Sequence, residues 1–190
     1  EVARNNQKLI IGPWPHGQTG KTQLGDFEFG PEAALPFRTL DDDSWLSATV
    51  LRWFDYWLKG MDNGITSEPP VKIFVLNHGW REENEWPLAR TDFQKFYLRS
   101  AGRANSLLGD GVLSPTPPKD ERSDQFDYDP SHPVPTTSGD PSLALDYPWD
   151  QRPIERRDDV LVYSTPALEK NLEVTGPVRM ILFASSSARD

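Results

Sequence analysis

The sequence predicts an α/β unit followed by an all-β unit, with the change of class between Gly60 and Val71. Three observations predict it. A short apolar, β-branched run (Lys8-Leu9-Ile10-Ile11) is followed by a stretch from Ser44 to Lys59 whose apolar residues recur at helical spacing. Beyond Val71 the period drops to two, and short strand-like runs alternate with turn residues, as in a sandwich or jelly roll. Eighteen prolines against 13 glycines favour loops and edge strands over a helical bundle. The expected units are residues 1–65 and 66–190.

The run at 8–11 is expected to be a buried strand, stopped by Gly12-Pro13. The segment Gly12-Pro13-Trp14-Pro15-His16-Gly17-Gln18-Thr19-Gly20 is too rich in Gly and Pro for helix or strand, so it reads as a loop presenting His16 just after a strand end. From Ser44 to Lys59, Leu46, Val50, Trp53, Phe54, Trp57 and Leu58 fall on one face of an amphipathic helix. Asp41-Asp42-Asp43-Ser44 supplies cap candidates and negative charge at its start, where the helix dipole favours anions, and Lys59-Gly60 supplies the matching end. Trp45, Trp53 and Trp57 are expected to pack inward from this helix, and Trp80 and Trp86, flanking a turn, to pack in the core or between units.

Strands are expected at 71–76, 93–98, 159–163, 172–174 and 178–184. Nine of the 18 prolines lie between Pro115 and Pro153, so that segment reads as extended loop. Residue 1 is Glu, no leader-like segment follows it, and the apolar run at 178–184 nearly reaches the last residue; both ends are expected to be cut from something longer.

Charge and composition exclude several functions. With 20 Lys+Arg against 29 Asp+Glu the net charge is −9, unlike the basic surplus of a phosphate-backbone binder. No apolar run approaches the roughly 18 residues of a membrane-spanning helix. The absence of cysteine removes disulfides, thiolate metal sites and a cysteine nucleophile. Nor does any pair of the 3 histidines fall at i, i+4, or any acidic cluster at calcium-loop spacing, so no metal and no cofactor is expected. His78, before Gly79, and His132, in the Pro-rich stretch, read as ordinary loop residues.

His16 has the better setting. A neutral imidazole on a loop after a strand can take a proton from a serine hydroxyl and return it to a leaving group, given a carboxylate to fix its tautomer. Spacing alone favours the plainer reading, in which His16 packs on Trp14 and hydrogen-bonds its own loop. Trp14 is a candidate wall of an acyl pocket, and the three aspartates at 41–43 read as caps rather than a metal cluster.

The string Lys8-Leu-Ile-Ile-Gly-Pro-Trp-Pro-His16-Gly resembles the segment that carries the catalytic histidine in cocaine-esterase-like serine hydrolases, a group related to X-Pro dipeptidyl-peptidases, α-amino-acid ester hydrolases and glutaryl acylases. Leu51 to Gly60 is similar to the helix that follows it there. Pro70 to Val75, Asp150-Gln151-Arg152-Pro153, Asp158 to Tyr163 and Leu172 to Val178 resemble successive landmarks of the C-terminal jelly-roll domain. The resemblance implies that 1–65 ends an α/β-hydrolase domain and 66–190 begins an incomplete, galactose-binding-like jelly roll. It also implies that His16 is the triad histidine, with serine, aspartate and oxyanion donors upstream of Glu1; no Gly-x-Ser-x-Gly occurs in these residues. Expected partners are an ester, amide or peptide substrate and the remainder of a parent hydrolase, with neither nucleic acid nor membrane. Cytoplasmic and exported locations stay equally open. A competing expectation is a carbohydrate- or ligand-binding jelly-roll module without catalysis, since Trp and Tyr residues beyond Val71 are able to stack on sugars.

Overall fold

The computed structural model describes residues 6–15, 18–34, 44–135 and 148–188. β1 (Leu9–Ile11) forms where the apolar run predicts it and stops at Gly12, but it is not the buried strand expected, since Leu9 and Ile11 are 36% and 37% exposed and it pairs on one side with one strand among the described residues. The loop beyond contains a short hairpin that the sequence did not signal, β2 (Gln23–Leu24) against β3 (Phe27–Glu28), turned through Gly25 at φ 54. Its anchor is the buried Leu24. Its apolar residues, Leu24, Phe27 and Phe29, span too few positions for a period to stand out. A 3₁₀ turn over Pro31–Ala33 follows.

α1 (Trp45–Lys59) matches the predicted helix at both ends. Ser44 is its N-cap, the hydroxyl accepting from the Ser47 N–H at 3.1 Å. Gly60 closes it in the left-handed region at φ 69, which a side chain would disfavour, and its N–H returns to the Tyr56 carbonyl. The aspartates at 41–43 lie outside the described residues. The burial of the apolar face differs from expectation, because Phe54, Trp57 and Leu58 are 49%, 44% and 77% exposed. Helical spacing fixes which residues share a stripe; what covers the stripe depends on neighbours that the described residues do not supply.

β4 (Val71–Val75) runs parallel to β1, with Leu9 opposite Val71 and Ile11 opposite Ile73. β5 (Gly79–Glu83) returns antiparallel to β4, giving the order β1-β4-β5. A parallel pair requires a crossover connection, and α1 lies within it. This sheet therefore joins strands from both sides of the boundary expected at 65/66. Period two sorts the faces of β4. Val71 and Ile73 are buried with Leu88, flanked by Val75 and Trp86, and each such burial contributes about 1.5–3 kcal/mol. Lys72 and Phe74 point the other way, opposite Glu82 and Trp80 of β5.

Beyond β5 the chain has less regular structure than its sequence suggests. β6 (Tyr97–Arg99) includes only the last two residues of the run at 93–98, and Phe93 and Phe96 stay exposed. It pairs antiparallel with β7 (Val112–Ser114). Of the run at 159–163, Leu161 makes one isolated bridge, to Asn105, and nearby Ser164 makes another, to Val112. The runs at 172–174 and 178–184 form no strand, and Phe183 is 96% exposed. Alternation marks a segment able to become a strand, but a ladder needs a second edge to face it, and among the described residues these runs have none. Residues 115–135 carry neither helix nor strand, as the prolines predict. α2 (Arg152–Glu155) is a single turn preceded by Asp150, whose carboxylate accepts from the Arg152 N–H at 3.0 Å. Among the described residues the strands are thus short and the one long helix is α1, with turns and irregular chain making up most of the rest.

Side-chain carboxylates supply the order that ladders do not. Asp124 accepts from Ser100 Oγ at 2.7 Å, from the Ala104 N–H at 2.8 Å and from the Tyr163 hydroxyl. Burial alone would raise the Asp124 carboxyl, but these hydrogen bonds hold it below its ordinary range, while burial and that carboxylate push the Tyr163 hydroxyl up. Asn105 Nδ2 donates to the carbonyls of Gln125 at 2.7 Å and Asp158 at 2.8 Å. Gly111 passes so close to the strap formed by residues 160–164 that a Cβ would lie 1.9 Å from the Val162 carbonyl oxygen.

Candidate functional site

The expected base, His16, lies outside the described residues; the loop leading to it is described as far as Pro15. Its first residue explains the path. A Cβ on Gly12 would fall 2.3 Å from the Trp14 ring, so glycine is what lets that indole fold back over the end of β1. Trp14 Nε1 donates to the carbonyl of Ala33. Trp80 Nε1 donates to the preceding carbonyl, that of Glu32, at 2.7 Å. These are the carbonyls of the last two residues of the Pro31–Ala33 turn.

The rings themselves form one cluster centred on Trp80. Its centroid lies 5.4 Å from Trp14 at 43°, 5.0 Å from Trp45 at 84°, and 5.4 Å from Phe74 at 76°. Edge-to-face pairs of this kind contribute about 0.5–1.5 kcal/mol each beyond the area they bury. Lys72 Nζ sits 4.3 Å from the Trp45 centroid, a cation over a ring face, and 3.5 Å from Glu82. The cluster gathers β4, β5, the first residue of α1 and the Pro31–Ala33 turn around the start of the His16 loop. Trp14, expected as a possible pocket wall, is one of its half-buried members.

On the opposite face of β5 the chemistry is ionic. Glu83, 8% exposed, receives a two-pronged contact from Arg90 and one from Arg81 Nε at 2.6 Å. Arg81 also forks onto Glu173 at 2.6 and 3.1 Å, and Thr175 Oγ1 donates to Glu173 at 2.8 Å. Arg90 holds the Glu83 carboxyl below its usual value, and Arg81 brings that of Glu173 down to about 2. Both carboxylates are ionised at neutral pH, so they serve as fasteners rather than proton donors. A concavity of about 270 Å³ beside Lys8 and Trp53 is likewise matched in charge, since Glu68 meets Lys8 at 3.1 Å and Arg52 at 2.6 Å.

His78 lies exposed in the β4–β5 turn. His132 is exposed as well, with Nδ1 2.9 Å from Asp129. Among the described residues no three His, Cys, Asp or Glu side chains are grouped to hold a metal ion, and no helix is long and apolar enough to cross a membrane. Sequence reading missed the partnership of Trp80 with Phe74, Trp14 and Trp45. A signal was present: Asn77 and Gly79 both adopt positive φ in the turn, and continuing the alternation past them places Trp80 on the Phe74 face.

Residues 63–190 match the family described as the X-Pro dipeptidyl-peptidase C-terminal non-catalytic domain. Over 191 residues, 96% of this chain and 31% of the relative, the chain is 40% identical to the cocaine esterase of Rhodococcus sp. (strain MB1 Bresler). Over 196 residues, 100% of this chain and 27% of the relative, it is 30% identical to the "Putative serine esterase Mb1866c" of Mycobacterium bovis. A shorter stretch of 39 residues, 20% of this chain and 6% of the relative, is 47% identical to a "Putative Xaa-Pro dipeptidyl-peptidase" of Bacillus anthracis. The chain thus spans about a third or less of the length of the relatives that it matches from end to end. The chain belongs to the X-Pro dipeptidyl-peptidase C-terminal non-catalytic domain family.

Proposed function

We propose that this chain is part of a serine hydrolase that cleaves ester or amide bonds through an acyl-enzyme, with His16 as general base and then general acid. One observation carries the reading. Identity of 40% to a cocaine esterase covers 96% of the chain, so it reaches well beyond the matched domain into the residues before 63. The local geometry supports it, because β1 ends at Ile11 and a glycine-started loop, braced by indoles, leads on to His16.

In this reading a serine and an aspartate come from outside the stretch. The imidazole of His16 takes the serine proton as the hydroxyl attacks the carbonyl, then delivers it to the leaving alcohol or amine, while the aspartate holds the ring in the required tautomer. No cofactor enters. Residues 1–65 form the end of an α/β-hydrolase domain and 66–190 a jelly-roll domain, with the β1-β4-β5 sheet bridging the seam; the parallel β1–β4 pair with α1 in its crossover is α/β geometry. A binding-module reading gains little support, because the open cleft beside β6 and β7 has no aromatic ring among the described residues lining it.

The test is His16→Ala in the intact protein. Ester turnover should fall about 10²- to 10⁴-fold, with fluorophosphonate labelling of the serine slowed in step. Undiminished turnover would end the assignment.

A further inference from the structure

We propose that Asn63 is a modification site, an Asn-Gly linkage whose conversion to aspartate and isoaspartate is held back by a hydrogen-bonded clamp on Arg52. It is the one asparagine in the sequence that is followed by glycine. The Gly64 half of the linkage is open to reaction. That residue is exposed, sits at φ 74 ahead of the short 3₁₀ turn Ile65–Ser67, and has nothing within 4 Å of where a Cβ would stand. The Asn63 half is gripped. Its Nδ2 donates to the Arg52 carbonyl at 2.8 Å, and its Oδ1 accepts from the Ile65 N–H at 3.2 Å. Its own carbonyl accepts from the Arg52 guanidinium at 2.8 Å, so Arg52 holds both the side chain and the main chain of Asn63.

The reaction needs water alone. The Gly64 nitrogen attacks Asn63 Cγ and gives up its proton to solvent, a cyclic imide closes, and the side-chain nitrogen takes up a proton and leaves as ammonia. Water then opens the ring at either carbonyl, leaving aspartate or, with the main chain rerouted through Cγ, isoaspartate. Bringing Cγ onto the Gly64 nitrogen turns the carboxamide out of its plane of hydrogen bonds, so the clamp must open first. Neither product fits back into it. A carboxylate has no N–H for the Arg52 carbonyl, and isoaspartate adds a main-chain carbon just before Ile65, which is 0% exposed. The Arg52 guanidinium also meets Glu68 at 2.6 Å, and Glu68 meets Lys8 at 3.1 Å, so the clamp is one of the ties joining α1, the approach to β4 and the approach to β1. A passing opening of the α1–β4 connection is thereby recorded as a lasting negative charge.

The experiment incubates the whole protein at mildly alkaline pH, folded and in concentrated urea, and follows Asn63 by peptide mapping with mass spectrometry. Conversion in the folded protein should be slower than in urea by about 100-fold or more, the combined hold of the three hydrogen bonds. Arg52→Ala removes the guanidinium and keeps the backbone carbonyl; it should speed conversion about 3- to 10-fold in the folded protein and leave the rate in urea unchanged. Gly64→Ala, compared in urea where its backbone strain has no bearing, should slow conversion by crowding the attacking nitrogen. Asn63→Asp should lower the urea midpoint of unfolding. Should Arg52→Ala fail to fold, the ratio of the folded and urea rates in the wild type decides. Equal rates in the two conditions, or a folded rate unmoved by Arg52→Ala, would overturn the clamp. No conversion at Asn63 in urea would overturn the site itself, and a wild-type midpoint for Asn63→Asp would overturn the claim that the product no longer fits.

Discussion

From β1 to β5 the chain is held by rings and aliphatic side chains, whereas from β6 to Ser164 it is held by carboxylates and carboxamides that reach across to distant backbone. In the first region Val71, Ile73 and Leu88 are buried beneath the sheet and four aromatic rings lie on its other face. In the second, Ala104 is the fully buried apolar residue among the described residues, and Asp124 and Asn105 make long-range connections. Apolar burial tolerates small shifts because it is non-directional. A carboxylate that satisfies three donors does not, since displacement by an ångström breaks all three. The two regions should therefore fail differently.

The largest expected effect is at Gly111. Substitution by alanine would drive a Cβ into the Val162 carbonyl oxygen and force β7 away from the 160–164 strap, costing about 3 kcal/mol by urea unfolding of the whole protein. Tryptophan emission from the ring cluster should change little before global unfolding. An early change in that emission would show that the regions are one cooperative unit. Asp124→Ala comes next, at about 2 kcal/mol, because it leaves the Ser100 hydroxyl, the Ala104 N–H and the Tyr163 hydroxyl without their acceptor. Asp124→Asn, which keeps an acceptor oxygen, should lose less.

Ser44→Ala removes the N-cap of α1 and should cost about 1 kcal/mol, read as a lower unfolding midpoint. The smallest effect is set by acid. The Glu173 carboxyl is lowered from 4.5 to about 2, chiefly by Arg81, so its contribution is complete above about pH 4.5 and is lost as the pH falls towards 2. The stability difference between wild type and Glu173→Gln, read by urea unfolding, should therefore shrink as the pH falls through that window. A difference that is flat with pH would mean that the Arg81–Glu173 pair does not hold this segment.

The same contrast explains how much was legible beforehand. α1 was readable at both ends because caps and periodicity are local, and β4 because alternation is local. The β2–β3 hairpin was not, resting on the single buried side chain of Leu24. Nor was the Asp124 hub, whose donors lie 20 to 39 residues away and leave no periodic trace. The runs at 172–174 and 178–184 show the reverse error, strand-like in pattern without a ladder to join. Of the candidate site, the loop and the role proposed for His16 came from resemblance, while the brace of Trp14 by Trp80 required the fold.

The interlocked indoles have an optical consequence. Trp14, Trp80 and Trp45 are close enough, and tilted enough at 43° and 84°, for their excited states to couple. Such coupling gives a circular-dichroism couplet whose sign and size follow ring geometry. The loop before His16 thus carries its own chromophores, and its conformation can be followed spectroscopically in the resting protein, with no substrate present and no label attached.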